Sequence, residues 1–250
     1  MRILKGVVSI LFVAIIFSCC SKNDTGSAAS HAYNAYFPVN IGHVLTYRLD
    51  STVTTNFEAS LVVHSYLLQD SIAKSSLNSD NTTTYTIYRS ITDAAGTQPW
   101  QPLSTYTVTP YQNRIEVNED NNLRYIKLVS PVTNGNLWNG NYYINIPANQ
   151  MVGNLLYPND MNNWQYAYQN TNQPYTIGNN TYDSSVVVFQ NADSVGTYPT
   201  TYYQKSIENE VYAKNIGMIY KKFYFVTWQS QSGNWNPGSF GIELKLVSYK

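Results

Sequence analysis

From Tyr36 to Lys250 the apolar residues recur mostly at every second position, and no segment holds a 3.6-residue period over three turns. That pattern restricts the chain to strands with one face turned inward. Leu45, Tyr47 and Leu49 alternate with Thr46, Arg48 and Asp50, and Phe57, Ala59, Leu61 and Val63 continue the pattern. Tyr85-Thr86-Ile87 and Tyr106-Thr107-Val108 read as shorter strands. Ile115 and Val117 lead into an Asn/Asp-rich turn at 118–122, and Leu123 to Val129 returns as the partner. Trp164, Tyr166 and Tyr168 share a face, and Gly178-Asn179-Asn180 marks a turn before the run Val186 to Phe189. Ile207 to Ala213 and Met218 to Trp228 flank a tight turn at Lys214 to Gly217, and Ile242, Leu244 and Leu246 face inward on the last strand. Roughly ten or eleven strands with short connections predict an all-β fold. The expected form is a single antiparallel meander, curved into a half-barrel or closed into a barrel-like sheet or sandwich, with little helix. Short helices fit only at 66–76 or 150–163.

Composition agrees with an ordered β domain. The chain holds 23 Tyr and 29 Asn, while 12% of its residues are charged. Tyr suits a half-buried pleated surface and Asn suits turns, and the chain is too aromatic to remain disordered. Basic and acidic residues balance at 15 each, with no basic run to neutralise phosphates, which argues against nucleic acid as a partner.

The N-terminus reads as an address. Met1-Arg2-Ile3-Leu4-Lys5 is a basic start, Gly6 to Phe17 is apolar, and Ser18 precedes Cys19. The apolar run is shorter than the roughly 20 residues of a spanning helix, and its flanks match a cleaved signal ending in a lipobox. The expected organisation is a signal peptide over 1–18, an acylated Cys19 with a flexible tether over 19–35, and one β domain over 36–250. Cys19 is the better acyl acceptor because Ser18 precedes it, and Cys20 after it favours the outer membrane. Cys19 and Cys20 are the only cysteines, so the folded part has no disulfide or thiolate chemistry available.

Tyr36-Phe37-Pro38-Val39-Asn40-Ile41-Gly42-His43-Val44-Leu45-Thr46-Tyr47 resembles the opening of uncharacterised lipoproteins from Bacteroidota-type outer membranes. Leu137-Trp138-Asn139-Gly140-Asn141 resembles their central element, and Pro174 to Ile177 and Glu210 to Lys221 resemble their later hairpins. Leu45 stands where that opening usually has Trp. The resemblance implies an envelope location and an antiparallel β fold, akin to the half-barrel of lipoprotein carriers, and implies no activity.

Catalytic constellations are absent from the sequence. His31, His43 and His64 have no metal-ligand spacing, and there is no Gly-x-Ser-x-Gly elbow. Glu208 and Glu210 share a strand face but read as the exposed edge of a hairpin with Lys221 or Lys222 opposite. Asn118 to Asn122 and Asn159 to Asn163 are rich in oxygen yet lack the spacing of a calcium loop. No catalytic residue, metal or cofactor is expected. The aromatics carry the strongest lead, since a Tyr or Trp ring joins an apolar body to a hydrogen-bonding tip. Tyr224 and Trp228 share a face with Met218, Tyr220 and Val226, and with Tyr166 and Tyr168 they are the candidate lining of a cleft. The expectation is therefore a non-catalytic binding module for a lipid, glycan or other small envelope molecule, joined to the membrane by its lipid anchor. The alternative is an accessory lipoprotein acting through contacts with envelope proteins. Gly217 is expected at positive φ, so that Gly217→Val destabilises clearly and Gly238→Val less.

Overall fold

Six strands in the first half of the chain each pair with the next: β1 (Val44–Thr54), β2 (Leu61–Leu77), β3 (Thr83–Asp93), β4 (Gln101–Pro110), β5 (Arg114–Asn118) and β6 (Arg124–Val129). The second half contributes β7 (Leu137–Asn139), a small hairpin of β8 (Met151–Val152) and β9 (Leu155–Leu156), β10 (Gln165–Ile177) and β11 (Asn180–Gly196). It ends with β12 (Tyr203–Ala213), β13 (Gly217–Gln229), β14 (Asn234–Trp235) and β15 (Phe240–Tyr249). This computed structural model describes residues 32–119, 122–146, 151–152, 154–158 and 160–250. The signal peptide, Cys19 and the tether up to residue 31 lie outside the described residues.

Every strand pairing is antiparallel, and the two halves join through β1 and β15. The order is β6-β5-β4-β3-β2-β1-β15-β13-β12-β11-β10-β7, with β14 paired to β13 alone. The start of β1 is stitched to the residue after β15, because Val44 and Lys250 exchange both backbone hydrogen bonds at 2.9 and 3.0 Å. No α-helix occurs among the described residues. Residues 66–76, one of the two places where a helix fitted the pattern, lie within β2. Leu68 and Ile72 are spaced like a helical pair, but the inward residue between them is Asp70, a buried charge that hides the strand alternation. Among the described residues of 150–163, helical geometry is confined to one 3-10 turn at Met161–Asn163.

The sheet curls until its edge strands β6 and β7 meet, leaving a seam that no strand ladder seals. Side chains and one main-chain bond close it. The Ile126 amide donates to the Gly140 carbonyl at 2.8 Å, and the Trp138 indole donates to the Ile126 carbonyl at 2.8 Å. The Tyr168 hydroxyl takes the Val129 amide and donates to the Val129 carbonyl, each at 2.7 Å. An edge strand exposes unpaired amides and carbonyls, and here aromatic tips satisfy them. Trp138 packs 4.6 Å from Tyr168 and 5.7 Å from Tyr166.

The segment before β1 crosses one end of the barrel as a plug. Tyr33 and Tyr36 are buried in the main core. The Tyr36 hydroxyl donates to Asn172 at 2.8 Å, and the Asn215 amide donates to the Ala35 carbonyl at 2.6 Å. His43 Nε2 lies 2.8 Å from the Ile216 carbonyl. The opening motif thus fastens the plug to the turn between β12 and β13. Gly217 in that turn has φ of +109°, as the turn reading required.

Gly238 reverses the expected ranking. Its φ is +86°, and a Cβ there would stand 2.7 Å from Met151 Cε and 3.1 Å from both the Asn154 carbonyl and the Leu156 amide. The β8–β9 hairpin sits on this glycine, and the Leu156 amide donates to the Gly238 carbonyl at 3.0 Å. At Gly217 the nearest atom is the flexible end of Leu45, at 3.4 Å. Gly238→Val is therefore expected to lower the melting temperature more than Gly217→Val, since it adds crowding against Met151 and the backbone of the β8–β9 hairpin to the left-handed strain of about 1 kcal/mol. A smaller loss at Gly238, read by thermal denaturation, would contradict the seating of the hairpin.

Candidate functional site

Strand register and one residue beyond β5 bring seven charged side chains into the barrel. Asp70 on β2 pairs with Arg89 on β3. On β12, Glu208, Glu210 and Tyr212 share a face and oppose Phe223, Lys221 and Met218 of β13. Two bulges set this arrangement. In β6, Ile126 and Leu128 pair with the consecutive residues Glu116 and Ile115, so Lys127 is the extra residue; it keeps the inward phase of Tyr125, and Leu128 turns inward beside it. In β13, Met218 and Tyr220 pair with Tyr212 and Val211, so Ile219 is extra and Lys221 comes to the same side as Met218. Glu119 follows β5 and completes the group.

Glu208 and Glu210 do not lie on an exposed hairpin edge, as alternation alone suggested. Glu208 and Glu210 are each 1% exposed, because the strand face that carries them is the inner wall. Lys221 does stand opposite Glu210, with Nζ 3.4 Å from its carboxylate, and Lys127 reaches the same carboxylate at 2.7 Å. The Tyr212 hydroxyl donates to the other Glu210 oxygen at 2.6 Å. Lys221 also lies 3.5 Å from Glu119. Beside this group, Arg89 binds Asp70 through two bonds of 2.7 Å, and the Tyr106 hydroxyl donates to Asp70 at 3.0 Å.

Burial alone raises a carboxyl pKa, and neighbouring cations lower it. At Glu210 burial pushes up, but Lys127, Lys221 and the hydrogen bonds outweigh it and hold the group at about 2. At Glu208 burial prevails over the same lysines and lifts the carboxyl to about 8. No hydrogen-bond partner for Glu208 Oε2 occurs among the described residues. Arg89, Lys127 and Lys221 face Asp70, Glu119, Glu208 and Glu210, so a protonated Glu208 leaves the interior neutral.

Between this charged group and the plug lies a cavity of about 130 Å³. Leu45, Ile72, Ile87, Ile242 and Leu244 make its apolar wall, and Phe37, Pro38, Ile216 and Gly217 line it at the plugged end. A barrel of about eight strands fills itself with side chains. Twelve strands on the path leave more room than the inward residues occupy. The site joins an apolar wall to a charged floor, and every cavity-lining carboxylate is tied to a lysine or arginine. It can bind, and none of those carboxylates is left free to act as a base.

The four aromatics expected in one cleft do not meet. Tyr166 and Tyr168 are buried in the main core at the seam, with the Tyr166 hydroxyl bound to Asn141 at 2.6 Å. Trp228 is buried in a separate cluster with Val226 and Trp235. Tyr224 packs against that cluster from the opposite face of the sheet to the cavity. The bulge at Ile219 also removes Met218 from the face of Tyr224. The cavity residues escaped the sequence reading because charged side chains at inward positions look like surface ones. The usable signal was parity: Asp70 lies in phase with Leu68 and Ile72.

No protein-family model matches the chain, and no curated protein does. Among solved structures, a candidate exported protein of Bacteroides fragilis with a YmcC-like fold is 12% identical over 86% of this chain and 98% of its own, with a TM-score of 0.33. A candidate lipoprotein of Parabacteroides distasonis is also 12% identical over the same shares, with a TM-score of 0.39. At this level of superposition the likeness says nothing about what the chain does.

Proposed function

We propose that this chain is an envelope lipoprotein, acylated at Cys19 and held at the outer membrane, whose barrel interior binds a small amphipathic molecule without catalysis. The observation that carries this reading is the cavity of about 130 Å³ with an apolar wall and a charged floor. An apolar cavity of roughly 150 Å³ accepts a benzene-sized ligand, so this space suits a ring or a short alkyl segment. A polar head meets Lys221 and Arg89, each already paired with a carboxylate, in the same lining.

Octanoate is the probe. The purified full chain is expected to melt at a higher temperature with millimolar octanoate, because a ligand that binds only the folded state stabilises it. Leu45→Trp, which fills the cavity from its wall, is expected to abolish that rise, and its ligand-free melting curve shows whether it folds. No rise in the parent chain, or an undiminished rise in Leu45→Trp, overturns the reading. The anchor has its own check. Cys19→Ala is expected to abolish labelling by a radioactive or clickable fatty acid and to release the protein from the membrane fraction. Continued labelling would move the acyl site or remove it from the model of anchoring.

A further inference from the structure

The outer face of β12 and β13 carries a second concavity, of about 300 Å³, separated from the interior cavity by the sheet itself. Its floor is Tyr224. That ring lies across Gly241 of the neighbouring β15, where a Cβ would stand 2.6 Å from ring atom Cδ2. Glycine alone lets the ring rest on the sheet while lining the groove. The wall is aromatic too. Tyr198 stacks on Trp235 with centroids 5.1 Å apart and 20° between the planes, and Tyr203 meets Trp235 edge-on at 6.4 Å. Buried Trp228 backs this wall at 5.3 Å from Trp235, and its indole donates to the Pro199 carbonyl at 3.2 Å, tying down the loop that carries Tyr198. Tyr198 itself is 49% exposed.

Two lysines, Lys205 of β12 and Lys222 of β13, line the same groove. Among the described residues neither makes a salt bridge, whereas Lys221 next to Lys222 makes two. Glu243 pairs with Lys222 across the strands, but its carboxylate is engaged by Lys245 and by the Tyr220 hydroxyl, each at 2.8 Å. The groove thus offers aromatic surface, chiefly Tyr198 and Tyr224, beside two ammonium groups outside any salt bridge, Lys222 feeling the Glu243 carboxylate only at longer range. Aromatic faces suit the C–H face of a sugar ring, and ammonium groups suit an anion. A bare anion has no use for the rings, and an alkyl chain has none for the lysines. Space of this size lies at the lower end of small-molecule sites, enough for one or two sugar units.

We propose that this groove binds an acidic saccharide, with its ring on Tyr224 and the Tyr198–Trp235 wall and its carboxylate between Lys205 and Lys222. The test uses the full chain in detergent and tri-galacturonate as the probe, followed by calorimetry and by the fluorescence of Trp228 and Trp235. Tri-galacturonate is expected to bind, with affinity falling as salt is raised. The fully methyl-esterified trimer is expected to bind about tenfold or more weakly, since charge-assisted hydrogen bonds are lost. Lys205→Gln with Lys222→Gln is expected to produce a comparable loss with the melting temperature unchanged, and Tyr224→Leu to weaken acid and ester alike. Equal affinity for acid and ester, full affinity in the double lysine variant, displacement by equimolar inorganic phosphate, or no binding at millimolar trimer overturns the proposal. The interior cavity is read by octanoate and Leu45→Trp, so failure at either site is distinguishable from failure at the other.

Discussion

Glu210→Ala is expected to destabilise the domain by about 3–5 kcal/mol, the cost of leaving a buried ion partner uncompensated. Lys127 is the group left behind. Its side chain is 5% exposed, and Glu210 is its salt-bridge partner among the described residues. Lys221 keeps Glu119 at 3.5 Å, so the loss falls mainly on Lys127. Replacing both members, as in Glu210→Leu with Lys127→Met, is expected to cost less than the sum of the single changes, because an apolar pair needs no compensation. Urea denaturation of the two single variants and the double variant reads this directly. Additive losses would show that the two side chains do not depend on one another.

The neighbouring carboxyl is expected to act in the opposite sense. The folded chain keeps the Glu208 proton up to about pH 8, while an unfolded Glu releases it near 4.3. Between those values the folded state holds a proton that the unfolded state lacks, so stability falls as pH rises. The contribution is fully present below the unfolded value and is lost through pH 8. Glu208→Gln is expected to flatten this slope and to exceed the parent chain by about 2–4 kcal/mol at pH 8, with near equality at pH 4. Glu210, held at about 2, contributes stability above the unfolded value that fades as pH falls through 2. An unchanged slope between pH 4 and 8 in Glu208→Gln would place the titration elsewhere.

The second large effect is expected at the seam. A Cβ on Gly140 would stand 2.2–2.6 Å from three atoms of the Tyr166 ring. That ring is fully buried and bound through its hydroxyl to Asn141, so it has nowhere to move. The Gly140 carbonyl also accepts the Ile126 amide across the seam. Gly140→Ala is therefore expected to cost about 3 kcal/mol, at the upper end of overpacking losses. Gly178→Ala is the matched control. Its φ is +57° and no atom lies within 4 Å of the added Cβ, so only the left-handed cost of about 1 kcal/mol applies. Equal melting temperatures for the two variants would show that Tyr166 can move aside at the seam.

Strand content and many turns were legible before the structure. Gly217 at positive φ and the hairpin of β12 with β13 follow from local rules, since a two-residue period and a left-handed glycine are properties of neighbouring residues. The opening motif was legible as punctuation, but its role as a plug was not, because Tyr36 meets Asn172 across 136 positions of chain. Glu208 and Glu210 show the limit most clearly. Alternation placed them on one face together, and nothing nearby in the sequence says which face is the inner one.

By itself the sequence determined an antiparallel β chain, the positions of its tighter turns, and the address-like pattern around Cys19, each written in residues close along the chain. The tertiary structure decided the rest. Pairing of β1 with β15 and the meeting of β6 with β7 brought distant strands together, and that closure chose the inner faces. The bulges at Lys127 and Ile219 then shifted parity partway along β6 and β13, so that Leu128 and Met218 join Lys127 and Lys221 on the inner face. A period of two fixes that side chains alternate and leaves their sense open. Only the partner strand, with its register and its bulges, settles which half becomes the interior.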